Sequence, residues 1–250
     1  MKTLKVLSAL LTYPTQDLIS AADELAAVLD SEKLLPKAER IAVQALIDDL
    51  ASGDLLEAQE RFILLFDRTR AISLHLFEHV HGESRDRGQA MVDLIQLYEE
   101  GGYTPTTKEL PDFLPLFLEY ASTRAPVEAI ELVRQPGHVL AALRERLAKR
   151  TSPYAAVFAG LLAIARVTPD QETLDRLMAE PDPEPDDLAA LDAAWEEEEV
   201  LFGPGSASES CGIDSLGAKI RQARRPAPGL EPLPGSGPRT IVSSSSAPRT

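Results

Sequence analysis

Residues 152–167 read SPYAAVFAGLLAIARV, and this stretch decides the fold. Tyr154, Val157, Phe158, Leu161, Leu162 and Ala165 recur at helical spacing, and the segment is apolar on nearly every side. A helix of that composition must be surrounded, which predicts the central helix of a helical domain. Working outward, the same period returns. Leu55, Ala58, Phe62 and Leu65 form one stripe; Met91, Leu94, Ile95 and Tyr98 form a second; Phe113, Leu116, Phe117 and Tyr120 form a third. Ser152-Pro153 and Thr168-Pro169 each set a hydroxyl before a proline suited to the first helical position, and Thr168 with Gln171 completes a capping-box pattern. Glycines 82, 101 and 102 mark helix ends. Almost no segment alternates as a strand would, and no internal repeat is visible. The expectation is an all-α protein: one globular helical bundle of about nine or ten helices with short loops.

The composition narrows the class. Of 250 residues 44% are hydrophobic, enough for a real core, while 40 acids against 25 bases give a net charge of −15. A nucleic-acid binder needs a basic face to displace counterions from phosphates, so this balance argues against nucleic acid, including a helix-turn-helix regulator. Attachment to anionic lipid is disfavoured on the same ground. The lone cysteine, Cys211, excludes an internal disulfide and any CxxC site, which fits a reducing compartment. Residues 1–11, MKTLKVLSALL, faintly imitate a secretory signal, but the apolar run is short and no cleavage site precedes Tyr13-Pro14. Leu4, Leu7 and Leu11 instead suit a first amphipathic helix ending at the proline. No run reaches the roughly 18 to 20 apolar residues of a membrane span. The reading is a soluble, cytoplasmic protein.

After about residue 180 the chemistry changes. Residues 181–199 carry nine acids and no base, and prolines 181, 183 and 185 break the preceding helix. Leu188, Leu191 and Trp195 keep helical spacing, which predicts a last acidic helix with one apolar edge; the glutamates 196–199 read as a solvated face. From Gly203 onward Gly, Pro and Ser dominate, so residues 204–250 are expected to be a disordered tail outside a domain of residues 1–203.

Candidate chemistry concentrates between Phe66 and Gln89, where three of the four histidines fall: His75, His79 and His81. His75-Leu76-Phe77-Glu78-His79 matches H-x-x-E-H, the inverted zinc-peptidase pattern. On a helix the two histidines would share a face one turn apart, with Glu78 close to a bound water. A zinc metallohydrolase is therefore the alternative from another class. Against it, a catalytic zinc needs a third ligand, which an acidic chain offers everywhere and so identifies nowhere. Structural or interface histidines are the plainer reading. Gly82-Glu83-Ser84-Arg85-Asp86-Arg87-Gly88 reads as a helix end followed by a new start, with Ser84 as N-cap and Asp86 in the first turn. Arg85 and Arg87 oppose the helix dipole there and call for an anion. A local cluster with Glu78, Glu83 and Asp86 is preferred; a carboxylate or phosphate from outside is the alternative. In Glu109-Leu110-Pro111-Asp112-Phe113-Leu114-Pro115, Pro111 is expected to start a helix, with Asp112 in its first turn and Pro115 tolerated near the start. No P-loop, Rossmann fingerprint, nucleophile elbow or EF-hand loop occurs.

Residues 66–102, FDRTRAISLHLFEHVHGESRDRGQAMVDLIQLYEEGG, followed by ELPDFLPLFLEY at 109–120, closely resemble the NarJ family of nitrate reductase molybdenum cofactor assembly chaperones, within the all-helical TorD-like group of redox-enzyme maturation proteins. The match is strongest over residues 60–120 and is compatible from about residue 3 to 203, through Trp195-Glu-Glu-Glu-Glu-Val-Leu-Phe. Glu109-x-Pro111-Asp112 resembles the short acidic-proline motif of the wider group. The resemblance implies a cytoplasmic chaperone rather than an enzyme. It would bind the N-terminal segment of the apo catalytic (alpha) subunit of respiratory nitrate reductase, alone or in an apo alpha–beta complex. It would hold no cofactor stably itself, act while molybdopterin guanine dinucleotide enters the client, and leave the finished membrane enzyme. A client peptide laid in a groove between helices is expected around His75, Glu78, His79, His81, Glu83, Arg85, Asp86 and Arg87, with Glu109 and Asp112 nearby.

Overall fold

In the computed structural model the described residues are 1–68, 70–81, 85–105, 109–179 and 182, without the side chains of His81 and Arg85. The expected acidic helix and the tail at 204–250 lie outside them.

The chain forms α1 (Lys2–Leu10), α2 (Gln16–Ser20), α3 (Ala22–Glu32), α4 (Lys37–Ser52) and α5 (Leu55–Phe66), then a 3-10 turn (Arg70–Ile72). There follow α6 (Glu78–His81), α7 (Arg85–Glu100), α8 (Leu114–Ser122), α9 (Pro126–Arg134), α10 (Gly137–Lys149), α11 (Ala155–Ala165) and α12 (Gln171–Met178). The all-α reading holds: among the described residues the only β contact is an isolated antiparallel bridge between His75 and Phe113. Twelve α-helices replace the expected nine or ten. The surplus comes from pieces such as α2 and α6, five and four residues long, which are too short to show a full amphipathic period.

α11 is the central helix that its sequence demanded. It packs against α1, α4, α9 and α10, and Val157, Phe158, Leu161 and Ala165 are fully buried. Each large apolar side chain so buried stabilises the fold by about 1.5–3 kcal/mol. Phe62 and Phe66 of α5 stack edge-on to Tyr154 just ahead of α11, with ring centroids 6.0 and 5.2 Å away. α1 buries Leu4, Leu7 and Leu10 against α3, α8 and α11. It ends at Leu10, before the proline. Its first amides are satisfied from a distance: the Glu32 carboxylate accepts from the Lys2 and Thr3 N–H groups at 2.8 and 2.7 Å. α10 carries α12 and the 3-10 turn on its outer side.

Three boundaries depart from the sequence reading. α12 is capped by Asp170, whose carboxylate accepts from Thr173 N–H at 2.9 Å, so Thr168 is not the cap. A turn over Ser152–Tyr154 delays α11 to Ala155, because Ala155 N–H bonds the Ser152 carbonyl. α8 starts at Leu114 with Phe113 as N-cap, so Pro115 rather than Pro111 sits in the first turn. Of the second stripe, Tyr98 and Leu94 are buried but Ile95 is 38% exposed. At the end of α7, Gly102 takes φ +75°, and a Cβ on Gly101 would lie 2.6 Å from the Tyr120 hydroxyl. Both glycines there are required by geometry.

Candidate functional site

After the 3-10 turn the chain runs extended through Ser73–His75 before entering α6, and the segment before α8 lies alongside it. Leu76 N–H donates to the Asp112 carbonyl at 3.1 Å, and Leu114 N–H donates to the Leu74 carbonyl at 2.8 Å. These two bonds join segments almost forty residues apart in sequence. The Asp112 side chain completes the junction. Its carboxylate accepts from Phe77 N–H at 3.0 Å and from His75 Nδ1–H at 3.2 Å, and the residue is fully buried. Tyr98 of α7, also fully buried, donates its hydroxyl to the Pro111 carbonyl at 2.7 Å. The acidic-proline motif is thus a clamp: Pro111 is held by α7, and Asp112 holds the His75 turn.

This geometry corrects the zinc-peptidase expectation. His75 lies in the bridge, outside α6, so His75 and His79 do not share a helix face. His75 Nδ1 is engaged by Asp112, and His79 points inward with its Nε2–H on the Ser73 carbonyl at 2.8 Å. Among the described residues no group of three or more His, Cys, Asp or Glu is arranged to hold a metal ion.

The other expected residues divide by exposure. Arg87 Nη2 donates to Glu78 Oε1 at 3.2 Å with both side chains about a quarter exposed, so this arginine takes a local carboxylate. The His75 side chain is 23% exposed beside them. His79 and Asp112 are buried beneath this rim, while Asp86 and Glu109 lie exposed. Glu83 and the side chains of His81 and Arg85 lie outside the described residues. Sequence reasoning missed Arg146, which is buried below the turn and donates to the Ala71 carbonyl from Nη1 at 2.6 Å. Its signal was legible: a cation on the apolar stripe Val139, Leu143, Arg146 of α10.

The two histidines are pushed in opposite directions. For His75, burial lowers the pKa, but the hydrogen bond and charge of Asp112, with Glu78, outweigh it and leave a net rise above 6.5. For His79, complete burial dominates, the Ser73 bond offsets only part of it, Arg146 adds to it, and the pKa falls below 6.5. The stability owed to neutral His79 is therefore full above the ordinary histidine pKa and is lost as pH falls through the depressed native value. That owed to charged His75 is full below the ordinary value and is lost as pH rises through the raised native one. Thermal midpoints measured from pH 5 to 8 should show the acid limb flattened by His79→Gln and the alkaline limb flattened by His75→Gln. An acid limb unchanged in His79→Gln would remove that residue from the account.

Comparison with known proteins now bears on this site. Residues 32–160, which contain the whole clamp, match the family model described as nitrate reductase delta subunit. The nitrate reductase molybdenum cofactor assembly chaperone NarJ of Escherichia coli K12 is 42% identical over 222 residues, covering 89% of this chain and 92% of that protein. A second E. coli K12 protein, described as "probable nitrate reductase molybdenum cofactor assembly chaperone NarW", is 38% identical over 202 residues, 81% of this chain and 84% of that one. The nitrate reductase-like protein NarX of Mycobacterium tuberculosis is 33% identical over 148 residues, covering 59% of this chain and 22% of that longer protein. With a family model spanning more than half of the sequence and a relative covered almost end to end, this chain belongs to the nitrate reductase delta subunit family, among its NarJ-type assembly chaperones, which are not enzymes.

Proposed function

We propose that this protein is a maturation chaperone of respiratory nitrate reductase. It binds the N-terminal segment of the apo catalytic subunit, free or in an apo alpha–beta complex, and keeps that subunit open to molybdopterin guanine dinucleotide. It then leaves before the enzyme is complete. The observation that carries this reading is the near end-to-end match to a named molybdenum cofactor assembly chaperone. Two features support it. The net charge of −15 suits a protein client better than nucleic acid, and no helix of the described residues is long and apolar enough to cross a membrane, as a cytoplasmic assembly factor requires.

The client surface is placed at the rim of His75, Glu78 and Arg87, with Asp86 and Glu109 beside it, and with His81, Glu83 and Arg85 as its continuation. His79 and Asp112 act from beneath by fixing the turn. A rigid, pre-formed turn reduces the ordering cost that a peptide complex must meet. A pull-down from anaerobic, nitrate-grown cells should capture the large catalytic subunit; a different client in its place would overturn the assignment. Affinity for the synthetic N-terminal segment of that subunit should fall about tenfold in Glu78→Ala/Arg87→Ala, the scale of a partly desolvated charged pair. It should also vary between about pH 5.5 and 7.5 more in the wild type than in His75→Gln/His79→Gln. Equal affinities and equal pH profiles would move the client surface elsewhere.

A further inference from the structure

The back of the His75 turn borders a recess that the rim does not include. Leu76, Phe77 and Val80 face Pro136 and Val139 across about 290 Å³ at the junction of α9 and α10. Gln135 and His138 complete its wall. Gln135 Oε1 and His138 Nδ1 are both buried there, and neither has a hydrogen-bond partner among the described residues. Buried polar atoms are nearly always paired, so two orphans on one small cavity mark a place prepared for another group.

The chemistry of the wall selects the occupant. Drug-sized ligand pockets span about 300–1,000 Å³, so this recess accepts one side chain and is far too small for a dinucleotide. A hydrocarbon tail would fill the apolar walls but leave both polar atoms unpaired. A phosphate or carboxylate would bring only acceptors to Gln135 Oε1, in a chain of net charge −15. A peptide segment offers an apolar side chain, an N–H for Gln135 Oε1, and both an N–H and a C=O for His138 Nδ1, whichever tautomer it holds. We propose that this recess is an anchor subsite for the client: one apolar side chain of the client peptide enters between Val80 and Val139, and the adjoining peptide groups hydrogen-bond Gln135 and His138. The inference rests on the client-binding reading above and adds a specificity pocket to it.

The test is calorimetric titration of the full chain with the synthetic N-terminal segment of the catalytic subunit. Val80→Phe, which fills the recess, and Gln135→Met/His138→Phe, which removes the two polar atoms while keeping their bulk, should each weaken binding about tenfold, or about 1.4 kcal/mol. Thermal midpoints check that each variant is folded. A readout without substitution is the ring-nitrogen resonance of His138 in the wild type, which should shift as peptide is added. If the wild type binds the peptide but the folded variants bind within twofold of it, or the His138 resonance stays fixed, the subsite is wrong while the chaperone reading stands. If a structure of the complex shows only water between Gln135 and His138, the subsite is equally wrong. If the wild type binds no client peptide at all, both readings fall.

Discussion

Replacing Asp112 with alanine is expected to lower the unfolding free energy by about 3 kcal/mol, the scale of losing a buried, hydrogen-bonded carboxylate. The substitution leaves Phe77 N–H buried without its acceptor and strips His75 of its partner. The backbone bond from Leu76 N–H to the Asp112 carbonyl survives, so the junction should loosen rather than vanish. Urea titration at pH 7 measures the loss. The same variant carries a pH signature that a mere cavity would not. Without Asp112, burial acts on His75 against a weaker opposing charge, so its pKa should drop, and with it the alkaline limb of the stability profile. Client affinity should weaken as well, because the rim sits on the turn that Asp112 fixes. A loss below about 1 kcal/mol, the net worth of one ordinary hydrogen bond, would show that the turn holds without its clamp.

Much of the fold was legible because helices advertise their buried faces locally. The stripe through Tyr154, Phe158 and Leu161 predicted the centre of the molecule, and those residues are fully buried there. Leu4, Leu7 and Leu11 predicted the first helix on the same basis. What the pattern could not carry was structure made by distant backbone. His75 and His79 have the spacing of a helix face, yet the Asp112 segment pairs with His75 and holds it extended. No local rule distinguishes the two cases. Asp112 itself reads locally as a helix N-terminal acid, but its carboxylate is spent on residues far back in the sequence. Thr168 yielded to Asp170 for a simpler reason: both residues can cap, and the charged oxygen two positions later is nearer the helix start. At the candidate site, sequence located the segment but not the division of labour within it. Which side chains form a rim and which lie beneath depends on burial, and burial depends on α7, α8 and α10 arriving from elsewhere.

Substituting Arg146 with methionine should cost about 3 kcal/mol, comparable to Asp112, because it removes a buried charged donor and leaves carbonyls unpaired. The guanidinium reaches from α10 to the Ala71 carbonyl at 2.6 Å and to the Leu177 carbonyl at 2.6 Å. It therefore ties the 3-10 turn before the His75 segment to the end of α12. Methionine matches the stem and packs against Leu143 and Leu147, so the loss isolates the fork rather than the volume. Lysine keeps the charge but cannot span both carbonyls at once, so Arg146→Lys should recover less than half of the loss. Two further readouts separate a tie from a general core defect. Amide hydrogen exchange in residues 171–178 should accelerate while α1 and α11 keep their protection, because α12 has no buried residue of its own to hold it. The pKa of His79 should rise, since Arg146 is one of the groups that push it down, although burial will still keep it below the ordinary value. Unchanged exchange in α12, together with an unchanged His79 titration, would show that the arginine is a passenger in the core and that the turn and the last described helix are held by packing alone.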